Sequence, residues 1–159
     1  MQALEERFLF LTLLLRQPRL QMIYVTSMPV DETIIEYYLS LLAGVIPSHA
    51  RRRLHLVSVR DRRVEPLTAK LLERPRIVEQ IRALIPDPRL CHLVPYVATS
   101  LERDLAVALG IPMYAADPRL FPYGRRPDAG GSSAMRASLT RRGSRTFTQW
   151  ATYVMRSRR

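Results

Sequence analysis

Apolar and polar positions follow two alternating rhythms along the first 124 residues, and together they predict a repeated strand–helix order. After an acidic first turn, Leu4 to Arg16 is apolar nearly all round until Pro18 stops it, which predicts a buried helix. "LQMIYVTS", Leu20 to Ser27, is a short β-rich apolar run that closes on hydroxyl residues and Pro29, the pattern of a buried strand. Asp31 is then placed as the N-cap of a helix whose Ile34, Ile35, Tyr38, Leu41 and Leu42 recur at helical spacing, with Gly44 as its stop. An irregular basic connection, "IPSHARRR", leads into "LHLVSV", Leu54 to Val59, a second strand. "LTAKLLERPRIVEQIRALI" is helical but should split or kink at Pro75. Leu90 to Ala98 predicts a third strand, with Pro95 marking its end. In "SLERDLAVALG" Ser100 is the expected N-cap and Gly110 the C-cap, and "IPMYAA" predicts a short fourth strand.

Apolar strands that alternate with helices imply a sheet covered on both faces. The expected fold is α/β, a Rossmann-like three-layer domain with a mainly parallel sheet of about four strands. It should occupy residues 1–124 and leave 125–159 as a separate tail. A chain of 159 residues has room for one such domain and a tail.

Charge changes the picture at the tail. The formal net charge is +11, yet residues 125–159 hold nine arginines against the single acid Asp128 and so carry most of it. Lys70 is the only lysine among 25 basic residues, a bias that a GC-rich gene favours. Such a composition reads as a disordered basic tail. A tail selected for nucleic acid could pair arginines with phosphates and stack Phe147, Trp150 and Tyr153 on bases, which gives the alternative reading of a non-catalytic α/β binding module. Cys91 is the one cysteine, so neither a disulfide framework nor a cysteine metal site is expected, in keeping with a cytoplasmic protein. "FLFLTLLL" is too short to span a membrane and lacks the flanks of a signal peptide.

Candidate chemistry is sparse. The turn after the first strand, "VTSMPVDET", has no glycine to let backbone amides close on phosphates, which argues against a dinucleotide or P-loop site. Thr26 and Ser27 stand at the carboxyl end of the first strand, where open α/β sheets bind ligands, although such residues also simply end strands and cap turns. Thr99 and Ser100 hold the matching position after the third strand. These four are the expected substrate-binding residues, with no catalytic, cofactor or metal residue assigned. His49, His55 and His92 are scattered, the arginines of "ARRRLHL" suit a solvated loop, and Glu102 with Asp104 occupy a helix's first turn, where carboxylates oppose the macrodipole.

The strings "YVTS-P", "IPSHARRRL", "TAKLLERPR" and "LA--LGIP-Y--DP" make Leu4 to Gly124 resemble the pre-ATP-grasp domain of bacterial ATP-grasp carboxylate-amine ligases related to peptide ligases. The resemblance implies a Rossmann-like domain on the acceptor side of a ligase cleft, partnered by an ATP-grasp domain. That partner would hold ATP and Mg²⁺ and activate a small-molecule carboxylate as an acyl phosphate for attack by an amine. On this reading the chain lacks the ATP-grasp part, needs no cofactor itself and is inactive alone, and neither a membrane nor nucleic acid is an expected partner. After Pro122 and Gly124 the sequence leaves the family's pattern. Rereading residues 125–159 in a shifted frame allows a stop-free continuation of the family type, so the tail is expected to be an out-of-frame translation.

Overall fold

The computed structural model of the chain describes residues 2–85, 87–119 and 152–157. It begins with helix α1, Gln2–Arg7, which tightens into a 3-10 segment, Phe8–Arg16. Leu9, Thr12 and Leu15 are buried at every third position, as a turn of three residues requires, whereas Phe10 and Leu13 are exposed. The expected all-round burial is thus corrected to a single buried stripe.

Strand β1, Leu20–Thr26, pairs in parallel with β2, Leu54–Ser58, in a register that matches Met22 with Leu54 and Thr26 with Ser58. Between them lie α2, Glu32–Ser40, and α3, Pro47–Arg51. Asp31 caps α2 as expected, accepting the Thr33 N–H at 2.8 Å. The connection expected to be irregular contains α3, with Pro47 in its first turn. Its arginines serve the scaffold. Arg53 donates to the carbonyls of Leu15 (2.7 Å), Gln17 (2.6 Å) and Leu20 (3.2 Å), and Arg51 pairs with Glu32 at 2.8 Å.

Pro75 divides the next helical stretch into α4, Leu67–Leu72, and α5, Pro75–Ala83. Strand β3, Cys91–Pro95, follows, and then α6, Ser100–Leu109, closed by Gly110 in the left-handed conformation (φ 70°). The N-cap of α6 is Thr99 and not Ser100, because Thr99 has the extended backbone and Glu102 three residues on completes a reciprocal capping box.

Two expectations for the sheet are corrected. "IPMYAA" forms no strand: Met113 makes one parallel bridge to Leu93, with Leu93 N–H bonded to Pro112 O at 2.8 Å and Tyr114 N–H to Leu93 O at 2.7 Å. Pro112 has no N–H with which to extend the ladder. The expectation of a disordered tail fails at Thr152–Ser157, strand β4, which lies antiparallel between β1 and β3 in the order β2-β1-β4-β3. Thr, Tyr and Val in "TYVM" favour strands, and β1 and β3 offer it two backbone edges. β1, β2 and β3 therefore share one direction, although only one of the three ladders is parallel. The remainder of the tail, with the divergence after Gly124, lies outside the described residues.

The period of two along β1 divides the core into two layers. Met22 and Tyr24 pack with Leu9, Leu15, Ile35, Leu39 and Leu54 on one face. Ile23 and Val25 pack on the other with Val57, Leu71, Ile81, Leu93, Leu105 and Leu109. Helices thus cover both faces, and the carboxyl ends of β1, β2 and β3 lie along one side of the sheet.

Candidate functional site

At the carboxyl end of β1 the extended chain runs out of strand partners, and its last polar groups are met by side chains from distant segments. Val59 N–H reaches Thr26 O and Asp61 N–H reaches Ser27 O, both at 2.9 Å, carrying the parallel pairing one step beyond the strands. The Thr26 hydroxyl turns back to donate to Met28 O at 2.7 Å, so this residue closes the turn. Ser27 faces a cleft of about 170 Å³ lined with Glu5, Met28, Asp61, Arg62, Arg63 and Lys70.

Three charged groups set the chemistry of this cleft. Lys70, on α4, is fully buried, and its Nζ donates to Ser27 Oγ at 3.3 Å and to Asp61 O at 3.1 Å. Glu5, on α1, is 1% exposed and accepts the Ser27 N–H through Oε2 at 2.9 Å, while Oε1 is buried with no hydrogen-bond partner. Burial raises the Glu5 carboxyl above its ordinary value, opposed by the Ser27 hydroxyl and N–H, the charge of Lys70 and the Met28 N–H. The Tyr24 hydroxyl donates to the backbone carbonyl of Glu5 and fixes α1 over the strand end.

Asp61 forms the far wall. It accepts both the backbone N–H and Nε of Arg63 at 2.9 Å, and it pairs with Arg74, which also donates to Lys70 O at 2.9 Å. Hydrogen bonds from Arg63 hold the Asp61 carboxyl well below the usual carboxylate range, and the same pairing raises Arg63. A depressed folded-state pKa contributes stability that is complete above the ordinary value of 3.8 and is lost as pH falls through the folded-state value. Asp61→Asn should therefore melt below the wild type at pH 6, and the gap should close progressively below about pH 4. Melting curves across that range check it, and a gap that does not depend on pH would contradict the assignment.

The four residues expected to bind substrate separate into two places. Ser27 lines the β1 cleft, whereas Thr99 and Ser100 line a second cleft of about 230 Å³ with Arg103, Pro118 and Arg119. Thr26 and Thr99 are engaged in the turn and in the α6 cap, the plain role of such residues. Ser100 opens α6 at the second cleft. Glu5, Asp61 and Lys70 escaped sequence reasoning. For Lys70 a signal existed, since a lone lysine in an arginine-biased chain marks a position where a guanidinium does not serve.

The site does not fit a nucleotide phosphate. No glycine occurs from Thr26 to Thr33, and the carboxylate of Glu5 stands at the strand end that a phosphate would approach. Among the described residues no group of three His, Cys, Asp or Glu side chains could hold a metal ion, and no helix is long and apolar enough to cross a membrane.

A family model, described as the pre-ATP-grasp domain, matches residues 23–111, more than half of the chain. The matched span runs from within β1 to the residue after the α6 C-cap and includes Ser27, Asp61, Lys70, Thr99 and Ser100. No curated protein and no solved structure matches the chain.

Proposed function

The chain belongs to the pre-ATP-grasp domain family, and from that premise we propose that it is the Rossmann-like N-terminal domain of a cytoplasmic ATP-dependent carboxylate-amine ligase of the peptide-ligase type. The observation that carries the reading is the family match over residues 23–111, which takes in Ser27, Asp61 and Lys70 of the first cleft and Thr99, Ser100 and Arg103 of the second. Open α/β sheets bind ligands at that edge. Ser27 at the first cleft and Thr99 and Ser100 at the second are the residues proposed to face substrate, with Thr26 holding the first turn in shape.

ATP and Mg²⁺ belong to the partner ATP-grasp domain, because neither cleft offers the glycine-rich turn or carboxylate cluster that would hold them. What this chain's residues supply is a charged wall. Buried Lys70 holds Ser27 and the Asp61 carbonyl in place, and Asp61 ties the loop after β2 to Arg74 at the α4–α5 junction. On this reading residues 1–124 carry the clefts and residues 125–159 are translated out of frame, with their segment Thr152–Ser157 filling the sheet position between β1 and β3 that the in-frame protein would complete in another way.

The chain mixed with MgATP and a panel of small carboxylates and amines should release no ADP, and titration with MgATP or with nucleic acid should give no saturable binding. ADP release by the chain alone would overturn the reading. Nucleic-acid binding with a steep salt dependence would instead identify the arginine tail as the working part.

A further inference from the structure

Glu5 reaches the end of β1 from a helix of six residues, and α1 packs mainly on the 3-10 segment that follows it. Its carboxylate accepts the Ser27 N–H at 2.9 Å, and the Ser27 hydroxyl, the charge of the Lys70 ammonium and the Met28 N–H also favour its ionised form. A fully buried lysine bonded to neutral oxygens, next to a backbone N–H that already takes a carboxylate, makes a site suited to an anion. Here the anion is supplied by the chain itself, and imperfectly. One carboxylate oxygen is bonded, the other is buried without a partner, and Glu5 is among the residues that line the cleft.

We propose that the carboxyl end of β1 is a binding site for a small carboxylate, that Glu5 is its internal occupant, and that an incoming carboxylate takes the same place when Glu5 and α1 withdraw. The proposal rests on the substrate-facing role given above to the β1 end, but it needs neither ATP nor ligation, so it can fail or stand independently of the ligase reading. Lys70 is fully buried, and its ammonium is bonded to two neutral oxygens, Ser27 Oγ and Asp61 O. Without the Glu5 carboxylate the Ser27 N–H loses its acceptor and the buried ammonium keeps only neutral oxygens among the bonds described, the condition under which a ligand anion gains most. The buried ammonium and the Ser27 N–H suit a compact anion such as a carboxylate, and the hydrocarbon stem of Glu5 marks the direction in which the remainder of a ligand would extend.

The test is a titration of the full chain with sodium acetate against sodium chloride at matched ionic strength, read by the amide resonances of Ser27 and Met28. Glu5→Ala and the isosteric Glu5→Gln should both show saturable acetate-specific shifts. The wild type should need at least about tenfold more acetate, because its own carboxylate competes. Adding Lys70→Met to either variant should abolish the shifts. If Glu5→Ala does not fold, Glu5→Gln carries the test, since its amide oxygen can still accept the Ser27 N–H. No saturable shift in either variant, equal effects of chloride, or shifts that survive the loss of Lys70 would each overturn the proposal.

Discussion

Replacing Lys70 with methionine should lower the melting temperature by about 10 °C, the largest effect expected from any single side chain of the β1 cleft. Methionine fills the space of the aliphatic stem, so little packing is lost. What disappears is the ammonium that meets Ser27 Oγ and Asp61 O and offsets the buried charge of Glu5. Removing one partner of a buried charged pair costs about 3–5 kcal/mol, and a chain of this size shifts by about 2–4 °C for each kcal/mol. Lys70→Arg should not restore the wild-type value, because the planar fork is larger than a site in which every atom of Lys70 is enclosed. Combining Lys70→Met with Glu5→Gln should recover part of the loss by removing the uncompensated carboxylate. Thermal unfolding followed by circular dichroism checks the set, and a Lys70→Met protein that melts with the wild type would show that the lysine is not buried as described.

Leu93→Ala should cost about 2–5 kcal/mol, the range for emptying a filled core position. Leu93 is fully buried in β3, and its backbone receives the bridge from Met113. Its side chain lies in the core layer formed with Val25, Leu105, Leu109 and Ile111. The change therefore leaves a cavity where α6 meets the sheet. Urea unfolding should show the midpoint displaced with little change of slope, and a loss below about 1 kcal/mol would mean that β3 is not a core strand.

Much of this fold is legible in the sequence because the elements announce themselves locally. The apolar runs of β1, β2 and β3, the helical spacing of Ile34, Ile35 and Tyr38, the break at Pro75 and the stop at Gly110 all act within a few residues. The misreadings arise where distant partners decide. Met113 lies beside β3 but cannot extend a ladder next to Pro112, and β4 owes its place to two edges supplied by far earlier parts of the chain. The N-cap of α6 was displaced by one residue because Glu102 reaches back to Thr99 and not to Ser100.

The candidate site was legible only in part for the same reason. Ser27 could be placed at the end of β1 from the run that precedes it. Its partners Glu5 and Lys70 lie 22 and 43 residues away in the chain, and no spacing rule connects them. Composition offered one clue, the solitary lysine.

The proposed function makes its sharpest claim about what the gene encodes after this domain. Resequencing from the codon for Leu120 through several hundred bases beyond the codon for Arg159 tests it most directly. The account predicts that a single-base correction or a shifted frame opens into a long ATP-grasp coding region, with residues 125–159 replaced. Confirmation of the tail as written, with no such region following in any frame, would contradict the ligase assignment and make the arginine-rich segment the feature that needs a function.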